Sequence, residues 1–156
     1  MDITQERIRI EWLILADGAQ VSGQKLFLLG GGWDTLTVNS GFPFPQHLGL
    51  AVAFRVPWNA TNQKHVFEVS ILDDDTSETL ASVGGEFETG RPPGVPPGIS
   101  QLAQLAAEMT LEFKGPGLFV VRASINGEEQ TDRQFPFRVI EGPGIRLTPQ
   151  HRARPD

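Results

Sequence analysis

The chain alternates. In HLGLAVAFRV, residues 47–56, Leu48, Leu50, Val52, Phe54 and Val56 fall on one side, and His47, Gly49, Ala51, Ala53 and Arg55 on the other. Successive side chains of a strand point to opposite faces, so this period of two predicts a half-buried β-strand. In RIRIEWLIL the same rule puts Ile8, Ile10, Trp12 and Ile14 on one face, opposite Arg7, Arg9 and Glu11. HVFEVSIL sets Phe67, Val69 and Ile71 against Glu68 and Ser70. LFVVRASI and RQFPFRVI continue the pattern, the second aligning Phe135, Phe137 and Val139. Proline has no backbone N–H, so Pro136 marks that strand as an edge or as bulged.

The turns fit these strands. Asn126-Gly127 accepts the positive φ angles of a type I′ hairpin. Ser22-Gly23 and the Lys114–Gly117 segment are further turn chemistry, and Asp73-Asp74-Asp75-Thr76 sits where two strands should join. Eight or nine strands at this spacing predict an all-β fold, an antiparallel β-sandwich of immunoglobulin-like type. SQLAQLAAEM, residues 100–109, is rich in helix formers, yet Leu105, Ala107, Met109, Leu111 and Phe113 alternate with polar or small residues. A strand over about 104–113 is expected, with a helical turn before it as the alternative. GRPPGVPPGIS, residues 90–100, reads as a proline-stiffened crossover between sheets, or else as an extended ligand for a partner groove.

Composition narrows the picture. A chain of 156 residues suits one domain, taken as 1–142 with a tail at 143–156. With no Cys and no Tyr, neither a core disulfide nor a tyrosine corner is available. Apolar packing must therefore hold the sandwich, and ten Phe and three Trp provide for it. The net charge of −6 argues against a nucleic-acid or acidic-membrane partner, which calls for a basic face. Arg146, Arg152 and Arg154 form a short basic tail on an acidic body. No basic, then apolar, leader opens the sequence and no apolar run reaches membrane-spanning length, so a cytoplasmic location is expected.

Candidate chemistry is sparse. Gly30-Gly31-Gly32 is followed by strand-like residues, with neither the lysine nor the helix start of a phosphate cradle. A bend where the chain changes sheet is the simpler reading. Trp33 beside Asp34 offers an aromatic face next to a carboxylate, which suits a sugar or a cation. His47, His65 and His151 have no metal-ligand spacing and read as surface residues, so no metal is expected. The Asp73–Asp75 turn lacks the glycine and the closing Glu of a calcium loop, and reads as aspartates capping turn N–H groups. Glu86 and Glu88 share a strand face and read as a solubilising strip. A hydrolase would need two acids set across a cleft. No catalytic residue and no cofactor are expected.

Leu15-Ala16-Asp17, Ala19-Gln20, Gly30-Gly31-Gly32-Trp33 and Val56-Pro57-Trp58 together form an LADxAQ…GGGW…VPW pattern. From about residue 12 to 140 the chain resembles an uncharacterised bacterial family of domains of unknown function. The resemblance implies no activity and carries over no catalytic residues. It does direct attention to Asp17 and Gln20 beside the glycine bend. Either Asp17 accepts N–H bonds from that bend as a folding device, or Asp17, Gln20, Trp33 and Asp34 share a ligand site. The function expected is a non-catalytic interaction or assembly module with an unidentified protein partner, self included. The alternative is a small-ligand or carbohydrate module centred on the Gly-Gly-Gly-Trp loop, and behind it a hydrolase.

Overall fold

A computed structural model describes residues 6–143. The basic tail and His151 lie outside the described residues. Eleven strands follow one another: β1 (Arg9–Ala16), β2 (Gly18–Ser22), β3 (Lys25–Leu29), β4 (Thr35–Val38), β5 (Phe44–Val56), β6 (Lys64–Asp73), β7 (Thr79–Glu88), β8 (Gln101–Phe113), β9 (Gly117–Ile125), β10 (Glu128–Glu129) and β11 (Phe135–Glu141). That is more than the eight or nine expected, and β10 is only a two-residue hairpin arm. The fold is all-β. One sheet has the order β1-β5-β8, a second β4-β11-β9-β6-β7, and β2-β3 is a separate hairpin. The pairings are antiparallel except β4 with β11, which is parallel.

The two larger sheets face each other across one core. Ile10, Leu13 and Leu15 from β1, Leu48 to Val56 at alternate positions of β5, and Leu111 and Phe113 from β8 meet Val69, Ile71, Phe119, Val121, Phe137 and Val139 from the second sheet. Two aromatic groups span the layers. Phe54 stacks on Phe87 at 4.5 Å and contacts Phe67 at 5.5 Å, and Phe113 meets Phe119 edge-on at 5.0 Å. Burial of a large side chain contributes about 1.5–3 kcal/mol, so this interlayer packing does the work of the absent disulfide.

Four departures from simple alternation have local causes. In β1 the register slips between Ile10 and Trp12, so Glu11 is an extra residue on that strand. The bulge inverts the expected face. Leu13 and Leu15 are buried, whereas Trp12 and Ile14 are only partly covered. In β5 the face of Gly49, Ala51 and Ala53 is buried as well as the apolar face, because the β2-β3 hairpin lies across it. A β-carbon on Gly49 would come within 2.7 Å of the Ala19 nitrogen, so only glycine admits this crossing. Residues 101–113 form one continuous strand, the alternation winning over helix propensity because the whole length pairs with β5 and its inward face turns to the core, buried at Leu111 and Phe113. Pro136 lies on an interior strand, but β4 pairs only with Arg138 to Glu141, leaving Pro136 on an open stretch of edge.

The turns are as their residues require. Gly23 and Gln24 (φ +56 and +64) close the β2-β3 hairpin, and Asn126 and Gly127 (φ +52 and +81) close β9-β10, both in type I′ geometry. Gly49→Ala is expected to lower stability by about 1–3 kcal/mol, because the hairpin must lift off β5. Thermal denaturation followed by circular dichroism measures it.

Candidate functional site

The four residues singled out from the sequence occupy three places. Asp17, directly after β1, donates its backbone N–H to the Leu29 carbonyl at 2.9 Å and to the Gly30 carbonyl at 3.2 Å. The bend is thus held by the Asp17 backbone as donor, and the glycine carbonyl accepts. Gly30 has φ +62, and a β-carbon there would overlap the Asp17 carboxyl group. Trp33 donates its indole Nε1–H to the same Gly30 carbonyl at 2.9 Å and sets its ring edge-on to Phe137 at 6.2 Å. Asp17, Gly30 and Trp33 therefore form one structural unit that carries the chain from the hairpin into β4. The polar edge of the indole is committed, and its ring is half-buried against the core.

Gln20 is apart from that unit. It sits on the exposed face of the hairpin opposite Phe27 and lines a shallow groove with Leu26 to Leu29 and Glu108. Asp34 accepts a hydrogen bond from Thr35 at 3.1 Å and lines a separate depression with Asp74, Leu118, Pro136 and Arg138.

The other candidates are drawn into local structure. Asp73 Oδ1 accepts the N–H groups of Asp75 and Thr76 at 2.9 and 3.0 Å, capping its turn. In the proline-rich loop, the Val95 N–H reaches the Pro92 carbonyl and the Ile99 N–H the Pro96 carbonyl, each at 3.3 Å. Gly94 (φ +92) and Gly98 (φ +83) stand at the third position of each turn after proline. Two successive type II turns result, in place of an extended ligand. Arg91 anchors the loop by lying over the Trp58 ring at 3.9 Å and donating to Thr61 Oγ1 at 2.6 Å.

His65 is buried, contrary to its reading as a surface residue, at 4 % exposure. Its Nε2 lies 2.7 Å from the Ala60 carbonyl and its Nδ1 3.0 Å from the Asn126 amide nitrogen. A carbonyl only accepts, so Nε2 carries the proton and Nδ1 accepts from Asn126. Asn126 Oδ1 in turn accepts the Val66 N–H at 2.9 Å, clasping the β9-β10 turn to β6. The turn signal pointed to Asn126, but nothing local tied it to His65. His47 stands exposed beside Glu108 (3.5 Å) and Thr110 (3.4 Å), a loose polar trio on the outer face of the first sheet.

The feature the sequence did not reveal lies between β7 and β8. These are the end strands of the two sheets, and each leaves one edge unpaired among the described residues. Between them opens a crevice of about 220 Å³, walled by Leu50, Val52, Phe67, Val69, Val83, Leu105 and Ala107, with Glu86 at its margin. Leu105 and Ala107 face inward yet are only partly covered. The hairpin runs along the outer side of the same stretch of β8, Gln104 donating to the Gln24 carbonyl at 3.2 Å.

A family model described as a family of unknown function, DUF6941, matches residues 11–140. The chain belongs to this family. The match agrees with the resemblance drawn from the sequence. Among curated proteins no match is found. The DUF6941 span runs from the Glu11 bulge to the last residues of β11, so it takes in the Asp17–Gly30–Trp33 unit, the His65 clasp and the crevice. Among the described residues of this DUF6941 chain, no helix is long and apolar enough to cross a membrane and no group of three metal-ligating side chains occurs.

Three outcomes are expected. Gly30→Ala should cost about 2 kcal/mol or more, since a left-handed backbone and the Asp17 carboxyl both oppose a methyl group. Gly31→Ala, whose β-carbon would make ordinary contacts at 3.4 Å and beyond, should cost less than about 1 kcal/mol. Asn126→Ala should cost about 1–2 kcal/mol by stranding the His65 and Val66 groups. Urea denaturation midpoints measure all three.

Proposed function

We propose that this chain is a non-catalytic interaction module of immunoglobulin-like type, whose binding element is the free edge of β8 over the β7-β8 crevice. Support for the fold type comes from strand order. The opening strands divide between the sheets, β1 beside β5 and β4 parallel to β11. The order β1-β5-β8 against β11-β9-β6-β7 follows the A-B-E and G-F-C-C′ order of such domains. In the constant-type arrangement a further strand lies beside the one equivalent to β8. Here the chain between β7 and β8 forms the tandem proline turns, so that position is open.

The observation that carries the reading is the pairing of an unsatisfied edge with an apolar slot. β8 is 13 residues long, and half of its N–H and C=O groups face away from β5. Edge strands are a liability that proteins commonly blunt with lysine, proline or bulges. β8 has none of these over its length and pairs with β5 without interruption. An extended segment laid along it would gain main-chain hydrogen bonds and place alternate side chains in the crevice, the mode known as β-strand addition. Among the described residues Glu86, Glu88 and the His47 trio are all exposed, Glu86 at the open margin of the crevice.

A fluorescein-labelled nonapeptide of alternating Val and Ser, titrated with the protein, should show saturable anisotropy. Ala107→Phe fills the crevice from the β8 side. It should weaken that binding at least about tenfold while leaving the melting temperature unchanged or higher. Undiminished binding to Ala107→Phe would overturn the reading.

A further inference from the structure

We infer that the strand received by β8 is basic: its apolar residues alternate with Lys or Arg, which lie opposite Glu108 and Glu112. This rests on the strand-addition reading and specifies its partner. In the register of β8 with β5, Leu105, Ala107 and Met109 share the inward face with Leu50, Val52 and Leu48. Gln104, Ala106, Glu108, Thr110 and Glu112 are therefore on the outward face. A strand paired with β8 would repeat that division. Its inward residues would meet the crevice, and its outward residues would stand directly across from Glu108 and Glu112, at cross-strand distance.

The charge on this margin is of one sign. β7 carries Glu86 and Glu88, β8 carries Glu108 and Glu112, and neither strand has a Lys or Arg. Among the described residues Glu86, Glu88 and Glu112 make no ion pair, and Glu108 faces only His47 at 3.5 Å. Lys64 stands opposite Glu88 in the β6-β7 register, on the far side of that strand from the opening. Lys114, the residue after β8, is taken by Glu78 at 3.7 Å. Acids on both margins repel an acidic segment. They also disfavour a second copy pairing β8 to β8, since that strand brings two more glutamates and no base. A basic alternating segment meets opposite charge at Glu108 and Glu112 and leaves no polar side chain in the slot.

The test uses three labelled nonapeptides with Val at alternate positions and Lys, Ser or Glu between, measured by anisotropy against the full chain at low and physiological salt. The Lys peptide should bind roughly tenfold tighter than the Ser peptide, and the Glu peptide weakest, with the difference shrinking as salt rises. The double variant Glu108→Lys and Glu112→Lys, both at exposed positions, should keep the wild-type melting temperature and reverse the order. Equal binding of all three peptides, with Ala107→Phe still abolishing it, would overturn the basic partner and leave strand addition standing. Failure of all three to bind would overturn both. A dimer of the free chain in sedimentation equilibrium, dispersed by the Ala107→Phe change, would assign the edge to a second copy and overturn the proposal.

Discussion

A buried strand must satisfy its backbone N–H and C=O groups on both sides, and here β5 does so while β8 does not. β5 is flanked by β1 and β8, covered on its apolar face by the second sheet and on its small-residue face by the hairpin. Over Gly49–Phe54 it is hydrogen-bonded on both sides and buried on both faces, and the first sheet is organised round that stretch. The three-stranded sheet that results has only two edges. β1 continues into the hairpin and the crossing to the second sheet, whereas β8 ends the sheet against open space. The interface proposed for this chain follows from that count of strands.

Tight packing in one region and an opening in another have the same origin. Gly49 lets the β2 backbone rest on β5, which covers the small-residue face of that strand. At the opposite margin Val83, Gly85 and Ala107 are small, and the sheets do not close over Phe67 and Leu105. Exposed Phe27 and Leu29 on the hairpin, at 57 % and 73 %, flank the same length of β8. Leu102 of β8 is exposed as well, while Val66, Leu118 and Ile140 are exposed on the second sheet.

Much of the fold was legible because it is local. The alternation of Leu48 to Val56, of Phe67 to Ile71 and of Leu105 to Phe113 gave strands with the correct inward faces, and Asn126-Gly127 gave its turn. What escaped depends on distant partners or on a single inserted residue. The Glu11 bulge turned Trp12 and Ile14 outward, since strict alternation admits no extra residue. The small face of β5 read as solvent-facing because the layer covering it is folded back from another part of the chain. The same limit applies to the site. Asp17 and the glycine bend are close in sequence and meet, Trp33 with them. Gln20 and Asp34 are as close in sequence but point elsewhere, because the hairpin and β4 present them to different faces. Which strands end a sheet is a property of the whole strand order, so no stretch of sequence announced the β8 edge.

Amide hydrogen exchange of the free protein, resolved residue by residue along Gln101–Phe113, tests the open edge most directly. The expected profile alternates: amides directed at β5 exchange slowly, and those between them exchange at rates near those of exposed loops. Uniform slow exchange through the whole strand, at concentrations where the chain is monomeric, would mean that the edge is already covered and would contradict the account.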